Sequence, residues 1–248
     1  LCFFELKVII IQIEGVFTIY KKRIAIIIIC VIVVIAVGFF VYFADYAHGT
    51  DVAVASLEND SDVNVSKIDG GYFFDGPGND SAMIFYPGAK VESIAYGNLM
   101  KTISKNGVDC FLVEMPFNFA FFGSNKADSI VNSYNYSHWA MSGHSLGGIV
   151  AASYAVDNKD KIDNLILLAA YPTEKIDDNI KMLSIYGDKD GVLNMETYED
   201  SHKFWNGNST EEIIIGGNHG GFGDYGLQKG DNNATISNME QQNRTAML

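Results

Sequence analysis

The hydrophobic and polar positions divide the chain into three unlike stretches. Ile24 to Phe43 is an unbroken apolar run of about 20 residues, enough as a helix to cross a hydrocarbon layer of roughly 30 Å. Residues 44–62 mix Asp, Ser, Asn and Ala with neither helical nor strand period, and read as a tether. From Val63 onward, short apolar runs alternate with small-residue or amphipathic segments. Val63–Ile68 and Tyr72–Asp75 predict a hairpin through Asp69-Gly70-Gly71, a strong turn signal. Six further strands are predicted at Ala82–Tyr86, Asp109–Glu114, Trp139–Ser142, Ile162–Ala170, Lys181–Tyr186 and Glu211–Ile215. Helices are predicted at Val91–Lys105, Asn125–Tyr134, Leu146–Val156 and Glu196–Trp205. A last helix opens at Ser237-Asn238-Met239-Glu240, which has capping-box spacing. Short apolar strands separated by helices imply an eight-stranded, mostly parallel α/β sheet with helices on both faces. Ligands of such sheets bind beyond the carboxyl ends of the strands.

The flanks of the apolar run give it an orientation. Lys21-Lys22-Arg23 precede it, and Asp45 and Asp51 follow, so the basic side stays cytoplasmic and the rest of the chain lies on the outer side. A cleavable secretory signal would carry a shorter apolar region, and its nearest small-residue site, Ala53-Val54-Ala55, lies too far beyond. A retained transmembrane anchor is therefore the favoured reading. Leu1 to Phe17 is apolar but broken by Glu5, Lys7, Gln12 and Glu14. It is either a second membrane-associated segment or translation from upstream of the true start, and the second is preferred. A formal charge of −13 argues against nucleic acid as a partner, because phosphates need a basic face. Cys2, Cys30 and Cys110 lie in apolar runs and form neither a disulfide framework nor a metal-ligand spacing. Nothing in the chain calls for a cofactor or a metal.

Candidate chemistry centres on Gly143-His144-Ser145-Leu146-Gly147, set between a strand-like run and a small-residue helix. A serine on a sharp strand-to-helix turn is held in a strained backbone with its hydroxyl exposed, and a Cβ at either flanking glycine would collide with the neighbouring strand or helix. Such a serine needs a base to take its proton and a carboxylate to orient that base, in the chain order Ser, Asp or Glu, His. Asp190, in Gly187-Asp188-Lys189-Asp190-Gly191 just past a predicted strand, is the candidate acid, with Asp188 its rival. His219, in Gly216-Gly217-Asn218-His219-Gly220-Gly221, is the candidate base. His48 lies in the tether, His138 precedes the elbow strand, His202 sits too close after Asp190, and His144 must point away from its serine neighbour. The oxyanion of acyl chemistry needs donors: the Leu146 N–H at the start of the elbow helix, and the Ala89 N–H in Pro87-Gly88-Ala89-Lys90.

These residues resemble the α/β-hydrolase superfamily, and in particular a compact prokaryotic branch, α/β-hydrolase fold family five, whose members include membrane-anchored proteins. The resemblance runs from about Val63 to Gln242. It rests on Phe85-Tyr86-Pro87-Gly88-Ala89-Lys90-Val91, Met115-Pro116-Phe117-Asn118, the Gly-His-Ser-Leu-Gly elbow, Ala169-Ala170-Tyr171-Pro172, Ser184-Ile185-Tyr186-Gly187, and Gly216-Gly217-Asn218-His219 with Phe222-Gly223. Gln228-Lys229-Gly230-Asp231 and Ala234-Thr235-Ile236-Ser237 extend it. The resemblance implies Ser145 as nucleophile, Asp190 as acid and His219 as base. The expected organisation is a leader and basic flank at 1–23, the anchor at 24–43, the tether at 44–62 and an α/β-hydrolase domain at 63–248. Thr173 to Ile180 leaves no room for the lid domain that many members insert. Phe117, Phe119, Phe121 and Phe122 either line an acyl pocket or pack in the core. The expected activity is hydrolysis of a small-molecule carboxylic ester, or of a thioester or amide, through an acyl-enzyme. Acyl transfer by the same triad and a non-catalytic binding module on this scaffold are the alternatives.

Overall fold

The computed structural model describes residues 2–78 and 80–248, with side chains described at Phe17 and from Tyr20 onward. Two units are separate: one ends at Asp45, the other spans Tyr46–Leu248. The first is helix α1 (Cys2–Ala44). Its segment Tyr20–Ala44 is long and apolar enough to cross a membrane, and none of its most apolar stretch is buried in the protein. The helix runs continuously through the basic Lys21-Lys22-Arg23 flank. The side chains that would decide between the two readings of residues 1–17 lie outside the described residues, apart from Phe17.

The second unit is built on eight strands: β1 (Asn64–Ile68), β2 (Gly71–Asp75), β3 (Ser81–Tyr86), β4 (Asp109–Val113), β5 (His138–His144), β6 (Asn164–Leu168), β7 (Lys181–Gly187) and β8 (Ser209–Ile214). They form one sheet in the order β1-β2-β4-β3-β5-β6-β7-β8. The β1–β2 hairpin and the β2–β4 pair are antiparallel, and every pair from β3 to β8 is parallel. All eight predicted strands are present, with boundaries moved by one or two residues. The period of two explains the uniform hydrophobicity of the central strands. In β3, Ala82, Ile84 and Tyr86 join the core on one face, while Met83 and Phe85 join the core on the other.

The first face is covered by α4 (Ala127–Ser133) and α5 (Leu146–Asp157), which contribute Ile130, Val150, Ala151 and Tyr154. The second is covered by α3 (Gly97–Lys105), with Leu99 and Met100, and by α7 (Asn238–Thr245). The predicted Val91–Lys105 helix divides into a 3₁₀ turn, Ser93–Tyr96, and α3. The predicted Glu196–Trp205 helix likewise divides into α6 (Met195–Asp200) and a 3₁₀ turn, Ser201–Phe204. Ser237 caps α7 as expected, its side chain accepting from the Glu240 N–H at 3.2 Å. The connection from β6 to β7 carries no lid; Ile176 and Ile180 fold into the core instead.

The stretch read as a tether is ordered from Tyr46. Ala47 pairs in parallel with Val91, donating to the Lys90 carbonyl at 2.7 Å and accepting from the Glu92 N–H at 2.9 Å. A short helix, α2 (Asp51–Ala55), follows, with Ala53 fully buried. Ser56 lies so close to α3 that a Cβ on Gly97 would sit 2.2 Å from its hydroxyl oxygen. Five residues of helix are too few for a hydrophobic period to emerge, and small Ala and Val side chains allow the packing that a flexible linker would not need. Because Ala53 is enclosed, Ala53→Leu overpacks that contact and should cost ~1–3 kcal/mol of stability, measured by denaturant unfolding. On an unpacked tether the same change would cost nothing measurable.

Candidate active site

The sharp turn from β5 into α5 is formed by Gly143, Ser145 and Gly147. A Cβ on Gly143 would lie 2.6 Å from the Gly147 carbonyl, and one on Gly147 would lie 2.2 Å from the carbonyl oxygens of both Tyr86 and Pro87. No side chain fits at either position. Ser145 itself takes φ 52° and ψ −124°, a conformation that costs an L-residue on the order of 1–3 kcal/mol. It is held by its own N–H to the Leu168 carbonyl (2.9 Å) and by its carbonyl accepting from Ile149 (3.2 Å). The helix that starts at Leu146 directs its N-terminal dipole toward the serine.

Asp190 and His219 come from the loops after adjacent parallel strands, β7 and β8. Gly187 is pressed against the second loop, since a Cβ there would lie 2.2 Å from the Gly217 carbonyl oxygen. Lys189 donates to Gly217 at 2.9 Å. Asp190 Oδ2 and His219 Nδ1 lie 2.8 Å apart, and each side chain is 1 % exposed. A carboxylate can only accept, so Nδ1 carries the hydrogen, and in the neutral ring Nε2 has a free lone pair. The other oxygen of Asp190 accepts from the N–H groups of Val192 and Leu193, both at 2.8 Å. The rival Asp188 faces elsewhere: it accepts from the Gly216 N–H and pairs with Lys189 at 3.0 Å. The Lys189 ammonium, then the Gly216 N–H, hold its carboxyl below the ordinary range.

His219 lies over the elbow. Its ring packs on that of His144, the residue before Ser145, with centroids 4.5 Å apart. Its Nε2 is buried and makes no hydrogen bond among the described residues, Ser145 included. A serine–imidazole bond is often long or unformed in the free enzyme and tightens when substrate closes the site. The other histidines fall outside the cluster: His48 lies 3.4 Å from Glu92, His138 3.5 Å from Asp163 and His202 3.7 Å from Glu211.

The His144 side chain turns away from the serine toward the loop after β3. The Tyr96 hydroxyl accepts from the Gly88 N–H (3.2 Å) and lies 2.8 Å from His144 Nδ1. With one hydrogen and a second lone pair, that hydroxyl can pair with Nδ1 in either tautomer of the ring. Burial first, then the facing His219, keeps the His144 pKa well below the usual histidine value. A Cβ on Gly88 would meet both His144 Nδ1 and the Tyr96 oxygen at 2.9 Å, so glycine there admits the close approach. Neither the Ala89 nor the Leu146 N–H donates to a protein acceptor among the described residues. Two main-chain donors are therefore free beside the elbow.

Sequence reasoning missed Tyr96 and Gln241. The Gln241 side chain on α7 is fully buried and pairs with the main chain of Asn218, accepting from its N–H (3.0 Å) and donating to its carbonyl (2.8 Å). It thereby braces the residue before His219. A glutamine on a polar helix carries no signal of this in the sequence. Phe117, Phe121 and Phe122 are 55 %, 64 % and 52 % exposed, which removes the core-packing alternative for these three. Their loop is joined to the one after β3 by the Lys90 N–H donating to the Asn118 carbonyl at 2.8 Å. A groove of about 740 Å³ lies on the face carrying α3 and α7, and no candidate residue lines it.

A family model described as the alpha/beta hydrolase family matches residues 82–243, more than half of the chain. The chain belongs to the α/β-hydrolase family. No curated protein sequence matches it. Solved structures that resemble it include a CIB-like hydrolase from Thermoplasma acidophilum (15 % identity, TM-score 0.55, covering 75 % of this chain and 95 % of that one). Est1E from Butyrivibrio proteoclasticus is similar (16 % identity, TM-score 0.51, 75 % and 96 % covered). So is a serine hydrolase involved in carbazole degradation, the CarC enzyme (12 % identity, TM-score 0.51, 66 % and 94 % covered). At these identities the likeness is one of fold.

Because Asp190, and not Asp188, contacts the imidazole, exchange at the two aspartates should separate them. Asp190→Asn should lower kcat toward a model ester by roughly 10³–10⁴-fold. Asp188→Asn should stay within about tenfold, since it loses only a loop contact. The reverse ranking in steady-state assays would move the acid to Asp188.

Proposed function

We propose that the protein is a serine hydrolase that cleaves carboxylic esters through an acyl-enzyme. The observation that carries this reading is the buried Asp190–His219 hydrogen bond, with the imidazole packed against His144, the residue before the strained elbow serine. In the reaction, the Ser145 oxygen attacks the ester carbonyl while His219 Nε2 takes its proton. Asp190 holds the ring in the Nδ1–H form and stabilises the imidazolium that results. The oxyanion accepts from the Leu146 and Ala89 N–H groups, each worth roughly 3–4 kcal/mol of barrier when aligned. His219 then protonates the departing alkoxide, and water, deprotonated by the same nitrogen, cleaves the acyl-enzyme.

The exposed Phe117, Phe121 and Phe122 give the substrate's apolar group a contact surface beside the oxyanion loop. A smaller cavity of about 460 Å³ lies between Phe121 and the elbow helix at Ile149 and Ser153. The lidless β6–β7 connection supports an open site that takes esters of modest size. The α/β-hydrolase relatives named above include Est1E and a serine hydrolase, which is consistent with this chemistry.

The same reading places the protein in a membrane. The apolar Tyr20–Ala44 helix serves as a retained anchor, and Lys21-Lys22-Arg23 keep its amino-terminal end cytoplasmic. The hydrolase unit then works on the extracytoplasmic side.

Ser145→Ala should lose all measurable ester turnover and all labelling by a fluorophosphonate, with its melting temperature unchanged within a few degrees. Substantial cleavage remaining in that variant would reject the acyl-enzyme. For the anchor, the uncut protein should stay in alkali-washed membranes, and protease added outside intact cells should degrade the hydrolase unit. Release of a shortened soluble form would instead mark α1 as a cleaved signal.

A further inference from the structure

The turn following the base loop carries a carboxylate that the chemistry above leaves unused. Asp231 Oδ1 accepts from the Gly191 N–H at 2.9 Å, and Oδ2 accepts from the Gly220 N–H at 2.8 Å. Gly191 N belongs to the peptide unit that leaves Asp190, and Gly220 N to the one that leaves His219. One carboxylate thus grips the main chain directly behind both members of the acid–base pair. Its own segment is fixed in turn. Asp231 donates its N–H to the Gln228 carbonyl at 3.1 Å, Oδ1 also accepts from the Asn232 N–H at 2.9 Å, and Asn218 Nδ2 donates to the Asn232 carbonyl at 2.7 Å. Gly191 is packed hard against this turn, where a Cβ would lie 2.9 Å from the Asn232 nitrogen and the Gly230 oxygen.

We propose that Asp231 is a positioning residue that sets the spacing and angle of the Asp190–His219 hydrogen bond by stapling the two loops together. The proposal rests on the serine-hydrolase reading for its kinetic consequences, but not for its structural ones. What this arrangement supplies is stiffness. The two loops leave separate strands, and each backbone contact that joins them elsewhere, such as Lys189 to Gly217, lies on the strand side of the pair. Asp231 joins them on the far side. With contacts on both sides, neither loop can pivot, and the carboxylate and ring stay aligned through the cycle of imidazole and imidazolium. A carboxylate suits this task because both of its oxygens accept, whereas an amide would present an N–H₂ to one of the two donors. Misplacement of about 1 Å in such a pair is worth up to ~100-fold in rate.

The test uses the full chain carrying Asp231→Asn, which is isosteric, and Asp231→Glu, which keeps the charge but shifts it by one methylene. Both should remain folded and should label with a fluorophosphonate more slowly than the parent. Turnover of a short p-nitrophenyl ester should show kcat lower by ~10–100-fold with KM within about threefold, because the substrate surface is untouched. In the resting protein, the low-field proton resonance of the His219 Nδ1–H should broaden or move upfield, which a generally loosened fold would not do selectively. Combined with Asp190→Asn, the Asp231→Asn change should add little further loss, since both act through one hydrogen bond. Full additivity in that cycle would overturn the proposal. So would a folded Asp231→Asn with parental kcat and an unmoved resonance. If the parent protein itself neither labels nor turns over ester, the serine-hydrolase reading fails alone, and the resonance still decides whether Asp231 governs the pair.

Discussion

Gly147 passes so close to the carbonyl oxygens of Tyr86 and Pro87 that a single added carbon would sit 2.2 Å from each, and this approach determines what the rest of the site can be. It brings the start of α5 against the end of β3, so the first N–H of the helix and the loop Pro87–Lys90 face the same small volume. The same contact forces the chain to turn from β5 into α5 within one residue, which is why Ser145 sits at φ 52°. That strain, on the order of 1–3 kcal/mol, is offset by the burial of Val150, Ala151 and Tyr154 behind it. Small residues continue the constraint along the helix, where a Cβ on Gly148 would lie 2.5 Å from that of Ala170.

Sheet order accounts for the other two candidate groups. Strands β7 and β8 are neighbours, so Asp190 and His219 meet directly across adjacent loops. The nucleophile strand β5 lies beyond β6 from both. The base must therefore be carried back across the ends of two strands, which no tight turn can do. Gly216 at φ 87° starts that return, and Gln241 braces it from α7 by pairing with the main chain of Asn218. A loop so displaced from its own strand needs outside support, and the buried glutamine supplies it through two hydrogen bonds that copy a strand pairing.

The legible part of this architecture was the part encoded locally. A buried run such as Ala82–Tyr86 reads as a strand because nothing polar interrupts it, and the sharp turn at Ser145 was legible because glycine spacing reports a steric need. The tether over residues 44–62 was misread because α2 makes one turn and its burial rests on a single alanine, Ala53. Helix starts were misjudged where a 3₁₀ turn precedes α3, since the same residues satisfy either spacing. Least legible were pairings between distant residues. Tyr96 with His144 is separated by 48 positions and Gln241 with Asn218 by 23, and neither partner's type predicts the other.

Hydrogen-bond satisfaction is uneven across the Asp190–His219 pair. Asp190 has both oxygens satisfied, and His219 has one nitrogen satisfied, yet its Nε2 is enclosed with no acceptor or donor. Leaving one buried polar atom unpaired costs about 1–3 kcal/mol, and an apolar side chain at this position would avoid the whole penalty. In the proposed reaction this imidazole is the base, oriented by a carboxylate and tilted against the ring beside the elbow serine at 4.5 Å. In that reaction the unspent lone pair receives a proton. A strained serine turned outward at the end of β5, with two unengaged main-chain N–H groups next to it, is the local source from which that proton would come. Strain at Ser145 and an orphaned nitrogen at His219 are two costs that the proposed acyl-enzyme cycle would join, since both fall on residues it uses.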